Sequence, residues 1–595
     1  MIKDRIDALR LLMREWGWDV AVIVGEDPHN SEYTPSRWCQ REFISGFTGS
    51  AGVVVVTMRH AGLWTDSRYW IQAARELEGS GIELHKLILS DDGEWIRWIA
   101  ENAPAGGKVG VDGLCMSMEV ADMLQKAVAA NGCFVVSRPD FLEPLWPDRP
   151  ALPQGQVWLH EERYAGRSRA DKLEWLRGEM KRQGCRYMFL NCLDQIAWLL
   201  NIRSTDVDYC PFVISFALIA PDGVSLFAEK SKFGADVLRA LEKDNVRVLS
   251  YGECVRFIGT CGADGRIMAD AGTLNYEMYS ALKNSFGADG MVQAVSPVAL
   301  AKSVKNSVET EGFRKAYVQD GIVQTRFFMW LEAEMTAGHR ITESDASDRL
   351  HELRKAMPDF LDESFETISA YGPNAALPHY STVRGRDAVL EPHGLYLNDS
   401  GAHYRYGTTD ITRTVPLGPL TDLEREDYTL VMKGMVDLAM TVFPEGTPGC
   451  RLDAVARRPL WQVRRNYGHG TGHGVGNVLS VHEGPQNFRQ NVNGQAFMPG
   501  MITSDEPGIY REGMHGIRHE NMVLCVEAGN NEFGGWLTFE TLTRTYLDTR
   551  PLLTELLDRQ ETDWINNFNR TVLETLSPFL AEHERVWLEA KCAPV

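Results

Sequence analysis

The residues best suited to chemistry lie in the last third of the chain. In LYLNDSGAHYRYGTTDITRTV, two strand-like runs flank a Gly-containing turn and set Asp399 and Asp410 eleven positions apart. A hairpin centred near Tyr404 and Arg405 puts the two aspartates across from each other, with Cβ atoms ~5 Å apart. Carboxylates facing at that distance repel unless a cation or a proton lies between them. A dinuclear metal site resolves the conflict; for this pair alone, two solvated turn aspartates are an equally good account.

Further on, NYGHGTGHGVG places His469 and His473 among five glycines at alternate positions. Repeated glycine lets the backbone approach a ligand closely. The spacing is not a dinucleotide fingerprint, because Gly-x-Gly is never followed by Gly three positions on, and the chain has no His-Glu-x-x-His for a mononuclear zinc site. His482 follows in VHEGP, Glu506 in MPGMITSDEPGIY and Glu520 in HGIRHENMVLCV. Strand alternation in the last segment sets Arg518 on the same face as Glu520, as an orienting partner for that carboxylate. Taken singly, each acid reads as a surface residue and each histidine as structural. Together, four carboxylates and one imidazole with no thiolate form an oxygen-rich set that suits Mn²⁺, with Co²⁺ or Zn²⁺ as alternatives. These donors oversupply a single divalent ion. Two metals ~3.5 Å apart share a hydroxide and polarise a carbonyl at once, which is the logic of two-metal hydrolysis.

Positioning these groups takes a large protein. At 595 residues the chain exceeds one hydrophobic core, and 44% apolar with 24% charged residues is ordinary globular composition. The net charge of −20 excludes a general nucleic-acid surface. Acids from Asp4 onward and the helical spacing of Ile2, Ile6, Leu9 and Met13 are unlike a signal peptide, and runs such as AGVVVVT are too short to span a membrane. The expected location is the cytoplasm. Eleven cysteines without a Cys-x-x-Cys pair read as buried free thiols.

The first segment opens with that helix, continues with the strands DVAVIVGE, GFTGSAGVVVVT and HAGLWTDSR, and then the helix YWIQAARELEGS. The Pro-rich PLWPDRPALPQG at 144–155 is a linker. A second α/β segment runs from RADKLEWLRGEMKRQG through CRYMFLN, IAWLLNI, FVISFALIA and GVSLFAE, with no strict repeat of the first. From about Lys305 long helices take over, followed by the Gly- and His-rich strands and a helical tail from Thr562 to about Ala590.

The blocks NDSGAHYRYGTTDITRT, HGTGHGVG, VHEGP, TSDEPGIY and GIRHEN, in that order, resemble the aminopeptidase P (Xaa-Pro aminopeptidase) branch of the pita-bread metallopeptidases. FISGFTGSAG with LWTDSRYWIQAA is similar to the first domain of the long three-domain cytosolic form, and CLDQIAWLLNIRSTDV to its second, so the resemblance covers nearly the whole chain. It implies an α/β and α+β multidomain protein: two creatinase-like N-terminal α/β domains (1–150 and 151–304) and a pita-bread catalytic domain with a C-terminal helical extension (305–595). By the same resemblance, Asp399, Asp410, His473, Glu506 and Glu520 are metal ligands, with Asp410 and Glu520 bridging two ions and Glu506 shuttling the proton of the attacking water. His379 in LPHY and His482 contact the substrate and stabilise the tetrahedral intermediate, His469 supports the proline pocket, Arg518 orients, and Arg68 in WTDSRY reaches the substrate from the first domain. His519 departs from the family's usual aliphatic residue, a change expected to tune metal affinity or pH response.

The implied activity is hydrolysis of the bond between an N-terminal residue and a following proline, through a metal-bridging hydroxide. It acts on peptides with proline at position 2, in a homodimer with two Mn²⁺ per chain. The alternatives are a prolidase restricted to Xaa-Pro dipeptides, which the three-domain length disfavours, and a non-catalytic binding protein on the same fold, which retention of all five ligands disfavours.

Overall fold

The computed structural model describes residues 2–88, 93–260 and 264–595. The chain forms two compact units, one made of Met1–Glu161 with Arg167–Ala299 and the other of Glu162–Gly166 with Leu300–Val595. Among the described residues, no helix is long and apolar enough to cross a membrane.

The first unit holds two six-stranded sheets. In the first sheet the strand order is Glu83–Lys86, Ala61–Thr65, Val53–Thr57, Val20–Ile23, Lys108–Val111 and Phe134–Ser137. Val20–Ile23 runs antiparallel to Val53–Thr57, which runs antiparallel to Ala61–Thr65; the other neighbours are parallel. The second sheet, ordered Val246–Leu249, Val224–Phe227, Phe216–Ile219, Tyr187–Leu190, Ile267–Ala269 and Met291–Gln293, repeats this pattern of neighbours and directions strand for strand. The two halves are thus one topology used twice, although their sequences show no strict repeat. The opening helix, Ile2–Trp16, buries Ile6, Leu9 and Met13 against the first sheet, as its 3.6-residue spacing requires. The Pro-rich stretch is irregular apart from a single 3₁₀ turn at Glu143–Leu145. Cys115, Cys133, Cys185 and Cys254 are buried thiols, and Cys261 lies outside the described residues.

In the second unit, Asn306 caps the helix Ser307–Ala337 in a reciprocal box with Glu309, and Gly338 ends it in the left-handed conformation. This helix, Glu343–Lys355, Asp422–Ala439 and the tail helices Arg559–Leu576 and Glu582–Lys591 share one apolar core. Around it lie a three-stranded sheet (Ile368–Tyr371, Leu395–Ser400, Ile411–Pro416), the hairpin Gly508–Arg511 with His515–Arg518, and a six-stranded sheet. The last of these includes Gly472–Gly474, Ile502–Asp505 and Asn521–Asn531.

Candidate metal centre

Each predicted ligand sits on or beside a strand of the second unit. Asp399 lies on Leu395–Ser400 and pairs across the ladder with Thr412, not with Asp410. The inner pairs His403↔Thr408 and Tyr404↔Gly407 make Arg405–Tyr406 the turn, one residue later than the sequence suggests. Asp410 is therefore the diagonal neighbour of Asp399, which keeps both on one face because side chains alternate with a period of two. Oxygens of Asp399, Asp410 and Glu520 come within 4.8 Å of one another. A second group, His473, Glu506 and Glu520, meets the same limit and shares Glu520 with the first.

His473 is held by its backbone. Gly472 packs where any Cβ would stand 1.8 Å from the Ser504 carbonyl oxygen, so only glycine lets the strand lie against Ile502–Asp505. The His473 N–H donates to Ser504 Oγ at 2.9 Å, and Nδ1 lies 3.0 Å from the Gly474 carbonyl. A carbonyl only accepts, so Nδ1 carries the proton and Nε2 presents its lone pair. That lone pair faces Asp410 Oδ2 and Glu506 Oε1, each at 3.4 Å. This is about the edge of a tetrahedron of ~2.1 Å metal bonds.

The carboxylates are poor neighbours without a cation. Burial first, then Asp399, pushes the Asp410 carboxyl well above the usual range. Burial and Asp410 do the same to Glu520, and burial raises Glu506 to about 7 against the lowering effect of Arg518. Asp399 Oδ1 and Glu520 Oε1 are buried without a hydrogen-bond partner among the described residues. A buried oxygen left unpaired is costly, and a bound cation satisfies both. The donor set and the orphaned oxygens fit two divalent ions.

Around the ligands stands a polar frame that sequence reasoning largely missed. Arg518 orients Asp399 rather than Glu520: Nη2 donates to Asp399 Oδ2, Nη1 to Tyr510 Oη at 2.6 Å, and Nε to Thr412 Oγ1 at 3.1 Å. Strand His515–Arg518 ends at Arg518, so the alternation assumed for Glu520 stops two residues short of it. The partner of Glu520 is Thr412, whose hydroxyl donates to Oε2 at 2.8 Å. Ser504 Oγ donates to Glu506 Oε1 at 3.2 Å. Arg413, buried and lowered to about 10 by that burial, donates to the carbonyls of Glu520, Thr545 and Tyr546 and ties the hairpin to the segment after Arg518. Only the motif blocks themselves flagged these positions.

Among the predicted histidines, His482 sets its ring edge-on to His473, with centroids 4.4 Å apart, and lies within 4.8 Å of Asp410 and His473. His469 Nδ1 lies 2.7 Å from the Gly470 carbonyl, so Nδ1 holds the proton and Nε2 accepts from the Tyr510 hydroxyl at 2.8 Å. His379 follows Pro378, whose carbonyl is 3.5 Å from Arg518 Nη2. The turn before it, Gly372–Ala376, packs onto Gly516, where a Cβ would stand 1.7 Å from the Ala375 oxygen. His519 is fully buried, edge-on to Tyr428 at 4.3 Å, and burial first, then Arg413, holds it well below its ordinary value. It fills the place of an apolar side chain and stays neutral. Arg68 lies in the first unit, where it grips Asp66 through Nε at 2.9 Å and Nη2 at 2.8 Å with its guanidinium 5.2 Å from the Tyr69 ring.

Comparison with known proteins covers the chain from end to end. The model of metallopeptidase family M24 matches residues 311–527, and that of its C-terminal region 535–595. Two creatinase/prolidase N-terminal domain models match 5–139 and 148–309. A probable Xaa-Pro aminopeptidase P of Tuber melanosporum is 38% identical over 614 residues, covering 100% of this chain and 99% of the relative. Its counterpart in Aspergillus oryzae is 37% identical over 606 residues, covering 100% and 92%. Among solved structures, the X-prolyl aminopeptidase of Caenorhabditis elegans, described as a cytosolic enzyme with a di-nuclear active site, superposes with a TM-score of 0.96 at 32% identity over 100% of both chains.

Proposed function

Because the chain belongs to the Xaa-Pro aminopeptidase P family of M24 metallopeptidases, we propose that it removes the N-terminal residue from peptides with proline at position 2, using two divalent ions held by Asp399, Asp410, His473, Glu506 and Glu520. The observation that carries this reading is the pair of overlapping ligand groups joined at Glu520, with buried, unpaired oxygens that a bound cation would satisfy. Asp410 stands between Asp399 and His473, which supports its bridging role beside that of Glu520. Mn²⁺ suits four carboxylates and one imidazole best, with Co²⁺ or Zn²⁺ next.

Ions bound there supply a water nucleophile at neutral pH and polarise the scissile carbonyl. The remaining work falls to the chain. Glu506 accepts a proton as the nucleophile adds and returns it to the departing proline nitrogen. His379 and His482 donate to the substrate and to the oxyanion of the tetrahedral intermediate. Proline at P1′ has no N–H to offer, so its ring is recognised by packing, with His469 fixed for that task through Tyr510 and Arg518. Arg68 reads the far end of longer peptides from the first unit, in a homodimer. The cytosolic description of the nematode enzyme supports a cytoplasmic location.

The test is cleavage of Xaa-Pro, Xaa-Pro-Xaa and longer peptides beside Xaa-Ala controls. Release of the first residue from Xaa-Pro-Xaa is the expected result. Cleavage of dipeptides alone makes the chain a prolidase, and metal binding without turnover makes it a binding protein.

A further inference from the structure

The first unit carries a second group of metal-type side chains that the catalytic reading does not use. His60, Glu83 and His85 place one ligand atom each within 4.8 Å of one another. The backbone explains why. Ala61–Thr65 and the edge strand Glu83–Lys86 run parallel with Gly62 opposite Glu83 and Trp64 opposite His85, so those four positions share a face. His60 precedes the Ala61–Thr65 strand by one residue, in a turn closed by its N–H to Thr57 Oγ1 at 3.0 Å and by the Thr57 N–H to its own carbonyl at 2.8 Å. Its ring lies across Gly62, where a Cβ would stand 2.7 Å from Nε2. Any other residue at 62 would push the imidazole away from Glu83.

The geometry is that of ligands rather than of a hydrogen-bonded pair. His60 Nδ1 lies 3.7 Å from Glu83 Oε2. This is too long for a hydrogen bond and near the ~3.4 Å edge between two ligands of one tetrahedral ion with ~2.1 Å bonds. His60 thus turns Nδ1 toward Glu83, and His85 Nε2 is buried with no hydrogen-bond partner among the described residues. Burial, ahead of their neighbours, lowers both imidazoles, which keeps them in the neutral form a metal requires. The rings are also preset. His85 stacks on Trp64 with centroids 3.9 Å apart, and His60 leans on Trp98 at 4.7 Å.

We propose that His60, Glu83 and His85 bind a third divalent ion of the Zn²⁺ class, leaving a fourth position open to water and pinning the edge strand to the hairpin beside it. Two imidazoles and one carboxylate favour Zn²⁺ over the hard ions Mg²⁺ and Ca²⁺. The test is equilibrium dialysis of the full-length chain against buffered micromolar Zn²⁺, with bound metal counted by plasma mass spectrometry. Three ions per chain are expected for the wild type and two for His60→Ala and Glu83→Ala. Glu83 is 67% exposed at its side chain, so its variant folds even where loss of a packed imidazole does not. In the wild type, Zn²⁺ should also raise the thermal midpoint above that of the enzyme carrying two ions, and in Glu83→Ala it should not. Two ions in the wild type, or a third retained by Glu83→Ala with affinity within threefold, would overturn the site.

Discussion

Removing one oxygen atom, in Tyr510→Phe, isolates the frame behind the ligands. The hydroxyl accepts from Arg518 Nη1 at 2.6 Å and donates to His469 Nε2 at 2.8 Å, and burial raises it to about 12, so it remains a phenol at any working pH. Phenylalanine keeps the ring and its place 5.9 Å from the Arg518 guanidinium. It strands one charged donor and one imidazole acceptor. A charge-assisted bond contributes ~1.5–3 kcal/mol and a neutral one ~0.5–1.5, so about 2–4 kcal/mol of positioning is lost. Because Arg518 also holds Asp399, and His469 faces the proposed proline site, that loss falls on transition-state binding: kcat/KM on Xaa-Pro-Xaa peptides should drop roughly 30- to 1000-fold. The assay is steady-state kinetics at matched metal content, with the thermal midpoint measured alongside. If kcat/KM stays within threefold of wild type while the midpoint falls, the hydroxyl serves packing alone and the reasoning fails.

Four further outcomes follow from the same geometry. Glu506→Gln should fold normally yet lose ~10²–10⁴-fold in kcat, and near-normal turnover would remove Glu506 as the proton acceptor. Chelation should lower the thermal midpoint of the chain and abolish activity, and mass spectrometry after Mn²⁺ is restored should find two catalytic ions per chain; full activity with one would defeat the bridging scheme. Arg68→Ala should lower kcat/KM on longer peptides about tenfold or more, equivalent to ~1.4 kcal/mol, whereas unchanged kinetics would reduce Arg68 to its pair with Asp66. Asp437 is raised from 3.8 to about 7 by burial and then Glu561, so the stability it contributes is full below pH ~4 and lost as pH rises through 7. Asp437→Asn should therefore raise the midpoint by ~1–3 °C at pH 8, from roughly 1–2 kcal/mol after solvent screening, and by little at pH 5. An equal shift at both pH values would contradict the titration.

The proposed ligands were legible because carboxylates and imidazoles are metal-binding types that stand out in Gly-rich strands. Their supports were not. Thr412, Ser504 and Tyr510 are ordinary strand residues by type, and nothing in a sequence separates a hydroxyl aimed at Glu520 from one aimed at water. Register failed at the hairpin for a related reason. Its turn is Arg405–Tyr406, which lacks the Asn-Gly or Asp-Gly signal of a two-residue loop, so the sequence pattern centres the hairpin one residue early. The face survived because the error moved Asp410 by two positions relative to Asp399. The doubled sheet was hidden more deeply, since topology depends on which strands pair, and many unlike sequences satisfy one pairing order.

That doubled sheet bears on how the chain folds. Two neighbouring sheets with the same connectivity offer each incoming strand two equivalent berths, and exchange between such repeats is a recurrent misassembly of multidomain chains. The strands themselves discriminate. Two inner strands of the first sheet, VAVI and VVVVT, are β-branched and aliphatic, and their counterparts in the second, YMFL and FALI, carry aromatic rings. A strand in the wrong berth would leave voids in one core and overfill the other, each costing kilocalories. Divergence in side-chain volume at these inner strands thus gives each of them a better fit in its own sheet than in the other.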